Sequence, residues 1–169
     1  MLLAIDISNS NIKFGVYNGD TMDRHWVVST ARERTTDEYA MVLGDLMRHH
    51  GYELTRVNGI IISSVVPPLT PVFQELAVRY CGKEPLVIDY SLDLGMKLLI
   101  DNPWELGSDR IVTALAAHYL YGGPAIIIAF STATTFDVIS GDGDFLGGAI
   151  APGLVISAEA LSSAASRLY

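Results

Sequence analysis

The sequence predicts an α/β protein in which a mixed β-sheet is flanked by helices and the whole architecture is duplicated. Residues 2–16 have the pattern of a strand, a short polar turn and a second strand, with Asp6 near the end of the first strand. Residues 124–139 repeat this pattern, and strand-like and helical runs alternate between the two copies. Such an internal repeat suggests two related domains that face one another across a cleft.

The first half of the chain is predicted to contain five strands and two helices. The strands are expected at Leu2–Ile7, Ile12–Tyr17, Met22–Ser29, Val57–Val65 and Leu86–Ile88. The first helix begins at Thr36, which we expect to be the capping residue, has the acids Asp37 and Glu38 in its first turn, and is ended by Gly51. The second helix is expected at Val72–Tyr80.

The second half begins with a loop-rich connection at residues 89–106. Ser108 is expected to cap a helix that continues to about Leu120, and the second hairpin follows it. A strand at Phe145–Ile150 and a helix at Leu154–Leu168 complete the pattern. We therefore expect a first domain at residues 1–106 and a second, incomplete domain at residues 107–169.

Composition and charge restrict the classes of function. The apolar runs are far shorter than the roughly 20 residues of a membrane span, and the N-terminus lacks the basic region of a signal peptide. The net charge of −8 disfavours non-specific binding to nucleic acid. The single cysteine, Cys81, excludes an internal disulfide and is typical of a reducing cytoplasm. The histidines do not have metal-ligand spacing with Cys81.

The turn after Asp6 is a candidate phosphate-binding hairpin. Its short side chains allow backbone N–H groups to approach an anion, and Asp6 can hold a hydrated magnesium ion beside that anion. An ordinary edge hairpin with a solvated Asp is the alternative, and the second copy favours the phosphate hairpin. In the aligned copies, Ser8–Asn11 matches Ser131–Thr134 and Ala129 falls opposite Asp6.

The segment Gly107–Arg110 is a second candidate site, at the start of a predicted helix. The N–H groups at a helix start attract anions, and Arg110 can bind a carboxylate through two parallel hydrogen bonds. Asp109 is a candidate general base for a hydroxyl nucleophile. The alternative is a capped helix start in which Asp109 only interacts with the helix dipole.

Seven segments together resemble one family. They are Asp6–Lys13, Thr36–Tyr39, Ser63–Pro68, Asp101–Pro103 with Glu105, Gly107–Arg110, Thr132–Asp137 and Gly147–Gly153. Their order along the whole chain resembles the type III pantothenate kinase family of the actin-like ATPase superfamily. The resemblance implies duplicated ribonuclease H-like domains and the ATP-dependent phosphorylation of pantothenate to 4'-phosphopantothenate, the first step of coenzyme A biosynthesis.

The resemblance also implies roles for particular residues. The ATP-binding residues would be Asp6, Ile7, Ser8, Asn9, Ser10, Asn11, Ile12, Lys13 and Thr132. Asp6 would hold Mg2+ through water. Pantothenate would be bound by Gly107, Ser108, Asp109 and Arg110, with Asp109 as the catalytic base that takes the proton from its primary hydroxyl group.

The chain departs from the family at several positions. Ala129 stands where the family has an Asp that binds the activating monovalent cation, K+ or NH4+, so we expect that cation site to be lost. Ser8 and Ser131 stand where the family has Gly, and Ile100 stands where it has a pantothenate-contacting Tyr. The family's second domain also continues past Tyr169, and it includes a pantothenate-contacting Thr in that part.

The leading hypothesis from the sequence is therefore a cytoplasmic type III pantothenate kinase, or a subunit of one, with weak or no activity when alone. The alternative is a catalytically impaired paralogue that serves as a regulatory or structural partner of a complete kinase; another sugar or acid kinase of the superfamily is a weaker alternative. We expect a homodimer or a heteromer, because Ala125–Phe130 and Phe145–Ile150 have too few elements to cover their apolar faces. The helix Ser108–Leu120 is expected near the contact.

Overall fold

A computed structural model describes residues 1–164, and the predicted order of strands and helices is confirmed within that range. The strands are β1 Leu2–Ile7, β2 Asn11–Asn18, β3 Thr21–Ser29, β4 Gly59–Ser64, β5 Leu86–Val87, β6 Ala125–Phe130, β7 Ala133–Ile139 and β8 Phe145–Pro152. The helices are α1 Thr36–His49, α2 Thr70–Cys81, α3 Ser108–Tyr121 and α4 Leu154–Ala164. The predicted end of the last helix, at Leu168, lies outside the described residues.

The described chain forms two compact units. The first contains Met1–Asp89 and Gly107–Asp109, and the second contains Tyr90–Leu106 and the described residues from Arg110 onward. The predicted domain boundary between residues 106 and 107 stays a prediction.

The first unit is built on a five-stranded mixed sheet in the order β3-β2-β1-β4-β5. Strand β1 pairs antiparallel with β2 and parallel with β4, so it lies in the centre of the sheet. Because β1 and β4 are parallel neighbours, their carboxyl ends lie side by side at the same end of the sheet. Open α/β sheets bind ligands at the carboxyl ends of their strands.

Successive side chains of the central strands point alternately to the core and to the opposite face of the sheet. Ile5 and Ile7 of β1 belong to the same buried cluster as Phe14 of β2 and the helical residues Tyr39 and Phe73. The Phe73 ring lies 4.7 Å from the Tyr39 ring and 6.0 Å from the Phe14 ring, measured between centroids. Because Ile5 and Ile7 face this core, the residue between them in β1 faces the other side of the sheet.

The first helix is capped by Thr35, so the sequence-based expectation of a cap at Thr36 is wrong by one residue. The Thr35 hydroxyl accepts from the Glu38 backbone N–H, and the Glu38 carboxylate accepts from the Thr35 N–H at 2.8 Å. These reciprocal bonds require a spacing of three residues, which Thr35 has and Thr36 does not. The bond from the Thr35 N–H is the main cause that lowers the pKa of Glu38. Thr36 is instead buried, and its hydroxyl donates to Glu75 at 2.7 Å.

The single thiol lies at the end of α2, and burial raises its pKa from the usual 9.0 to about 11. We expect Cys81 in the folded chain to react with an aromatic disulfide reagent at least about tenfold more slowly than in the urea-unfolded chain at about pH 8, since the thiolate is the reactive form. Equal rates would contradict this assignment. Because the unfolded chain releases this proton first, the free energy of unfolding should fall between about pH 9 and 11. Cys81→Ala should make that fall smaller without removing it, because the hydrogen bond to Asp37 also raises the pKa of Tyr80.

The second unit contains a three-stranded antiparallel sheet in the order β6-β7-β8. The segment before α3 extends it, because Leu99 N–H donates to the Phe145 carbonyl at 2.8 Å and Phe145 N–H donates to the Lys97 carbonyl at 2.9 Å. The expected exposure of β6 is seen at Ile126, Ile128 and Phe130, which are 50–69% exposed.

The expectation for the last strand is correct only in part. Phe145 is 1% exposed and belongs to the interior, whereas Leu146 and Ile150 are exposed. Within residues 1–164, no helix has both the length and the apolar character needed to cross a membrane.

Candidate functional site

A row of polar side chains crosses the sheet of the first unit at the carboxyl ends of β1 and β4. Asp6 is paired with Lys13 on one side and with Ser63 on the other. The Lys13 ammonium group lies 2.9 Å from the Asp6 carboxylate, and the two side chains are 58% and 33% exposed. The carboxylate is therefore accessible from solvent and has a cation beside it, which is an arrangement that can bind a metal-complexed phosphate.

The turn between β1 and β2 is held by the segment that follows β3. The Thr30 hydroxyl donates to the Ser8 carbonyl at 2.6 Å, and the Thr30 N–H donates to the Ser10 carbonyl at 3.0 Å. The Arg32 guanidinium donates to the Asn9 side-chain oxygen at 2.9 Å. The Ser8 N–H donates to the Asn11 carbonyl at 3.0 Å and closes the turn. The predicted phosphate turn is thus a braced structure, and sequence reasoning did not identify Thr30 or Arg32.

Two of the predicted ATP-binding residues have side chains that point away from the turn. Ile7 and Ile12 face each other across β1 and β2, and both are fully buried in the core. Only their backbone groups can contribute to a ligand site, while their side chains anchor the hairpin to the core.

The serines at the two turns are accommodated without backbone strain. Among residues 1–164, positive φ angles occur only at glycines, so Ser8 and Ser131 adopt conformations that any L-residue can adopt. The Ser131 N–H and hydroxyl both donate to the Ala133 carbonyl, at 2.9 and 3.1 Å. Substitution of glycine by serine at these positions therefore does not by itself exclude a phosphate-binding turn.

The start of α3 belongs to the first unit and is bonded to the end of β4. The Ser108 hydroxyl lies 3.0 Å from the Ser63 hydroxyl, accepts from the Ser64 N–H at 2.9 Å and donates to the Ser64 carbonyl at 3.1 Å. The expectation that Ser108 caps α3 is wrong by one residue, because Ser108 is the first residue of the helix and its hydroxyl binds the end of β4. Since Ser63 is the strand partner of Asp6, these bonds connect α3 to the row that contains the Asp6 carboxylate.

Gly107, two residues before Asp109, lies at a position where a side chain would not fit. A Cβ atom at Gly107 would lie 2.6 Å from an Asp109 carboxylate oxygen and 3.2 Å from the Val65 side chain. Asp109 is partly exposed in the first turn of α3. The absence of a Cβ at position 107 therefore leaves room for the Asp109 carboxylate.

In the second unit, Arg110 forms an ion pair with Asp137 of β7. The Arg110 Nε and Nη2 atoms donate to the same Asp137 oxygen, Oδ1, at 2.7 and 2.5 Å. The Arg110 side chain is 16% exposed and that of Asp137 is 1% exposed. Sequence reasoning did not assign a role to Asp137; the signal that could have found it is a carboxylate between the apolar residues Phe136 and Val138 of a strand.

The second hairpin repeats the first with one difference. Strands β1 and β6 have the same length, but the first turn has residues 8–10 and the second has only residues 131 and 132. The alignment of the two turns therefore shifts by one residue after Thr132.

Thr132 is exposed in this turn, and its carbonyl accepts from the Gly153 N–H at 3.1 Å. Ala129 is paired with Thr135 in the adjacent strand.

No group of three or more His, Cys, Asp or Glu side chains in the described range could hold a metal ion. An ion held by Asp6 through water would have one carboxylate beside it, and water and phosphate oxygens would make up its coordination shell. Mg2+ is commonly bound in this way, since it keeps several waters and takes few protein ligands. The accessible Asp6 carboxylate fits such an ion.

Solved structures with the same fold support the fold class. The ethanolamine utilization protein EutJ from Carboxydothermus hydrogenoformans matches with a TM-score of 0.55 at 14% identity, over 96% of this chain and 56% of that chain. The Aquifex aeolicus Ppx/GppA phosphatase matches with a TM-score of 0.52 at 14% identity, over 95% and 55%. The chain thus has a ribonuclease H-like fold of the actin-like ATPase type.

Sequence relatives identify the family. A family model for type III pantothenate kinase matches residues 2–169. Type III pantothenate kinases from Roseiflexus sp. (strain RS-1) and Geobacter sulfurreducens are each 50% identical, over 100% and 99% of this chain and 66% of each relative. The one from Moorella thermoacetica is 46% identical, over 99% and 66%. The chain spans slightly less than two thirds of these relatives, and it belongs to the type III pantothenate kinase family.

Proposed function

We propose that the chain transfers the γ-phosphoryl group of ATP to the primary hydroxyl group of pantothenate, as a type III pantothenate kinase or as a subunit of one. Membership of the family supports the reaction and its substrate. The observation that carries the proposal is the Asp6–Lys13 pair at the carboxyl end of β1, with Ser63 connecting that row to the start of α3. The Asp6–Lys13 pair and the helix start with Asp109 lie in one unit, which supports the proposal.

In this proposal the first hairpin binds the ATP phosphates. The Lys13 ammonium neutralises phosphate charge. Hydroxyls of the Ser8–Asn11 turn, and N–H groups of the turn other than that of Ser8, donate to phosphate oxygens. Asp6 would hold Mg2+ through water, and the ion would supply charge neutralisation on the phosphates. Thr132 of the second hairpin would donate to ATP as well.

At the start of α3, Gly107–Arg110 would bind pantothenate. Asp109 would accept the proton of the primary hydroxyl as that oxygen attacks the γ-phosphorus. Arg110 would bind the carboxylate of the substrate, because a guanidinium group can donate two parallel hydrogen bonds to a carboxylate.

Release of ADP in the presence of different acceptors tests the substrate. We expect pantothenate to stimulate ADP release and β-alanine, which lacks the hydroxyl group, to give none. Pantothenol, which keeps the hydroxyl but lacks the carboxylate, should react with a raised KM. Equal ADP release with all three compounds would mean that the chain hydrolyses ATP without an acceptor, and the proposal would be wrong.

The replacement of a carboxylate by the Ala129 methyl group predicts how the chain responds to monovalent cations. A methyl group cannot coordinate K+ or NH4+, so turnover should change by less than about twofold when either ion replaces Na+ at constant ionic strength. A steep rise with K+ would show that the cation binds at another position, and the transfer of roles by position would then be incorrect. Ala129→Asp, assayed in parallel, should introduce the dependence.

The assembly and location of the protein are also proposals. The exposed apolar residues of β6 support a homodimer or a heteromer with a related kinase subunit. The loss of a carboxylate at Ala129 favours, as the second candidate, an impaired paralogue that is the regulatory or structural partner of a complete kinase. Stimulation of a complete kinase by a chain that has no turnover of its own would support that candidate. The single cysteine supports a reducing cytoplasm.

A further inference from the structure

We propose that Asp137 is a positioning residue that fixes the Arg110 guanidinium for the carboxylate end of the substrate, an inference that rests on the proposed function. The geometry that supports it lies wholly within the second unit. Asp137 is in the middle of β7 and Arg110 is in the first turn of α3, so the pair joins a strand to the helix start that the proposal assigns to substrate binding.

The contact uses one particular part of the guanidinium group. Asp137 Oδ1 accepts from both Nε and Nη2 of Arg110, which determines the plane and the direction of the group. The edge of a guanidinium formed by its two terminal nitrogens is the other edge that can bind a carboxylate through two parallel bonds. An arginine held through Nε and Nη2 by one carboxylate oxygen therefore keeps its guanidinium plane in a fixed orientation.

Two further residues restrict the same group. The Arg110 guanidinium carbon lies 5.6 Å from the centre of the Phe145 ring, a cation–π distance. Gly148 is the strand partner of Asp137, and a Cβ atom there would lie 2.7 Å from Arg110 Nη2 and 2.9 Å from Asp137 Oδ1. The Phe136 carbonyl oxygen, at 2.1 Å from such a Cβ, already requires a glycine at position 148, and the ion pair occupies the same space.

The carboxylate itself is poorly suited to a purely structural role. Asp137 Oδ2 is buried and has no hydrogen-bond partner among the described residues, so Arg110 supplies the compensation for a carboxylate that is 1% exposed. A buried ion pair seldom stabilises a fold more than apolar side chains of the same size would. What the pair does supply is a fixed guanidinium orientation, which a carboxylate-binding site requires.

The orientation of Arg110 can be measured directly by NMR of the guanidinium Nε–H groups in the whole 15N-labelled chain. We expect the wild type to show one slowly exchanging Nε–H signal that Arg110→Lys removes. Asp137→Asn should raise its exchange rate at least about tenfold, since the charge-assisted bonds weaken. Asp142→Asn, in the exposed turn before β8, is the matched control and should leave it unchanged. A rapidly exchanging signal in the wild type, or no effect of Asp137→Asn, would overturn the proposal.

Kinetics then separates positioning from general stability. Asp137→Asn should raise the KM for pantothenate at least about tenfold and change the KM for ATP by less than about twofold. With pantothenol, which has no carboxylate for Arg110 to bind, wild type and Asp137→Asn should have the same KM. A similar loss with both acceptors would indicate a structural role and would refute positioning. Absence of turnover by the wild type would refute the proposed function, while the NMR result would still decide whether Asp137 positions Arg110.

Discussion

Asp109→Asn is expected to lower the kcat of pantothenate phosphorylation by about 100-fold or more, while the KM values for ATP and pantothenate change little. The reason is that Asn has nearly the same shape as Asp but cannot accept the proton of the attacking hydroxyl group. Asp109 is partly exposed at the start of α3, and Gly107 leaves space beside its carboxylate.

Asp37→Asn is the matched control for this substitution. Asp37 is the second residue of α1, as Asp109 is the second residue of α3, so both carboxylates lie at the positive end of a helix dipole. Asp37 also forms an ion pair with Arg79 at 3.0 Å. Asp37→Asn should leave kcat unchanged. If the two variants behave alike, Asp109 only stabilises the helix start, and another group must accept the proton.

Arg110→Ala is expected to lower the free energy of unfolding by about 3–5 kcal/mol, because it leaves the buried Asp137 carboxylate without a compensating charge. Urea unfolding of the two proteins measures this difference. The control is Arg48→Ala, which breaks the ion pair between Arg48 and Asp45. The side chains of these two residues are 72% and 64% exposed. An exposed pair contributes little, so this control should cost less than about 1 kcal/mol. Equal losses in the two variants would show that the Arg110–Asp137 pair is effectively solvated.

The elements of the fold could be predicted because each depends on local patterns. The strand β1 was predicted with its observed bounds, and β6 coincides with the apolar run Ala125–Phe130. The hairpin that contains Asp6 and Lys13 could also be predicted, since a short turn between two strands brings the residues beside it together. The cap of α1 was displaced by one residue because two threonines are adjacent there. The capping-box spacing of three residues to Glu38, which is present in the sequence, identifies Thr35.

The contacts that complete the candidate site depend on residues far apart in the chain. Thr30 reaches the Ser8 carbonyl only because β3 lies beside β2, and Ser108 reaches Ser63 only because α3 begins at the end of β4. Asp137 meets Arg110 across 27 positions of the sequence. No periodicity or propensity encodes such pairs, because they are set by strand order and register and by helix packing.

Detection of 4'-phosphopantothenate by mass spectrometry tests the proposed reaction most directly. The chain would be incubated with ATP, Mg2+ and pantothenate, beside Asp6→Asn and Asp109→Asn. The proposal predicts product from the wild type, in an amount that grows with time, and at least about 100-fold less from Asp109→Asn. Asp6→Asn should also form less product, because the amide is a poorer partner for hydrated Mg2+ than the carboxylate. No product from the wild type would contradict turnover by this chain and favour the impaired partner of a complete kinase. The same amount from all three proteins would contradict the roles of Asp6 and Asp109.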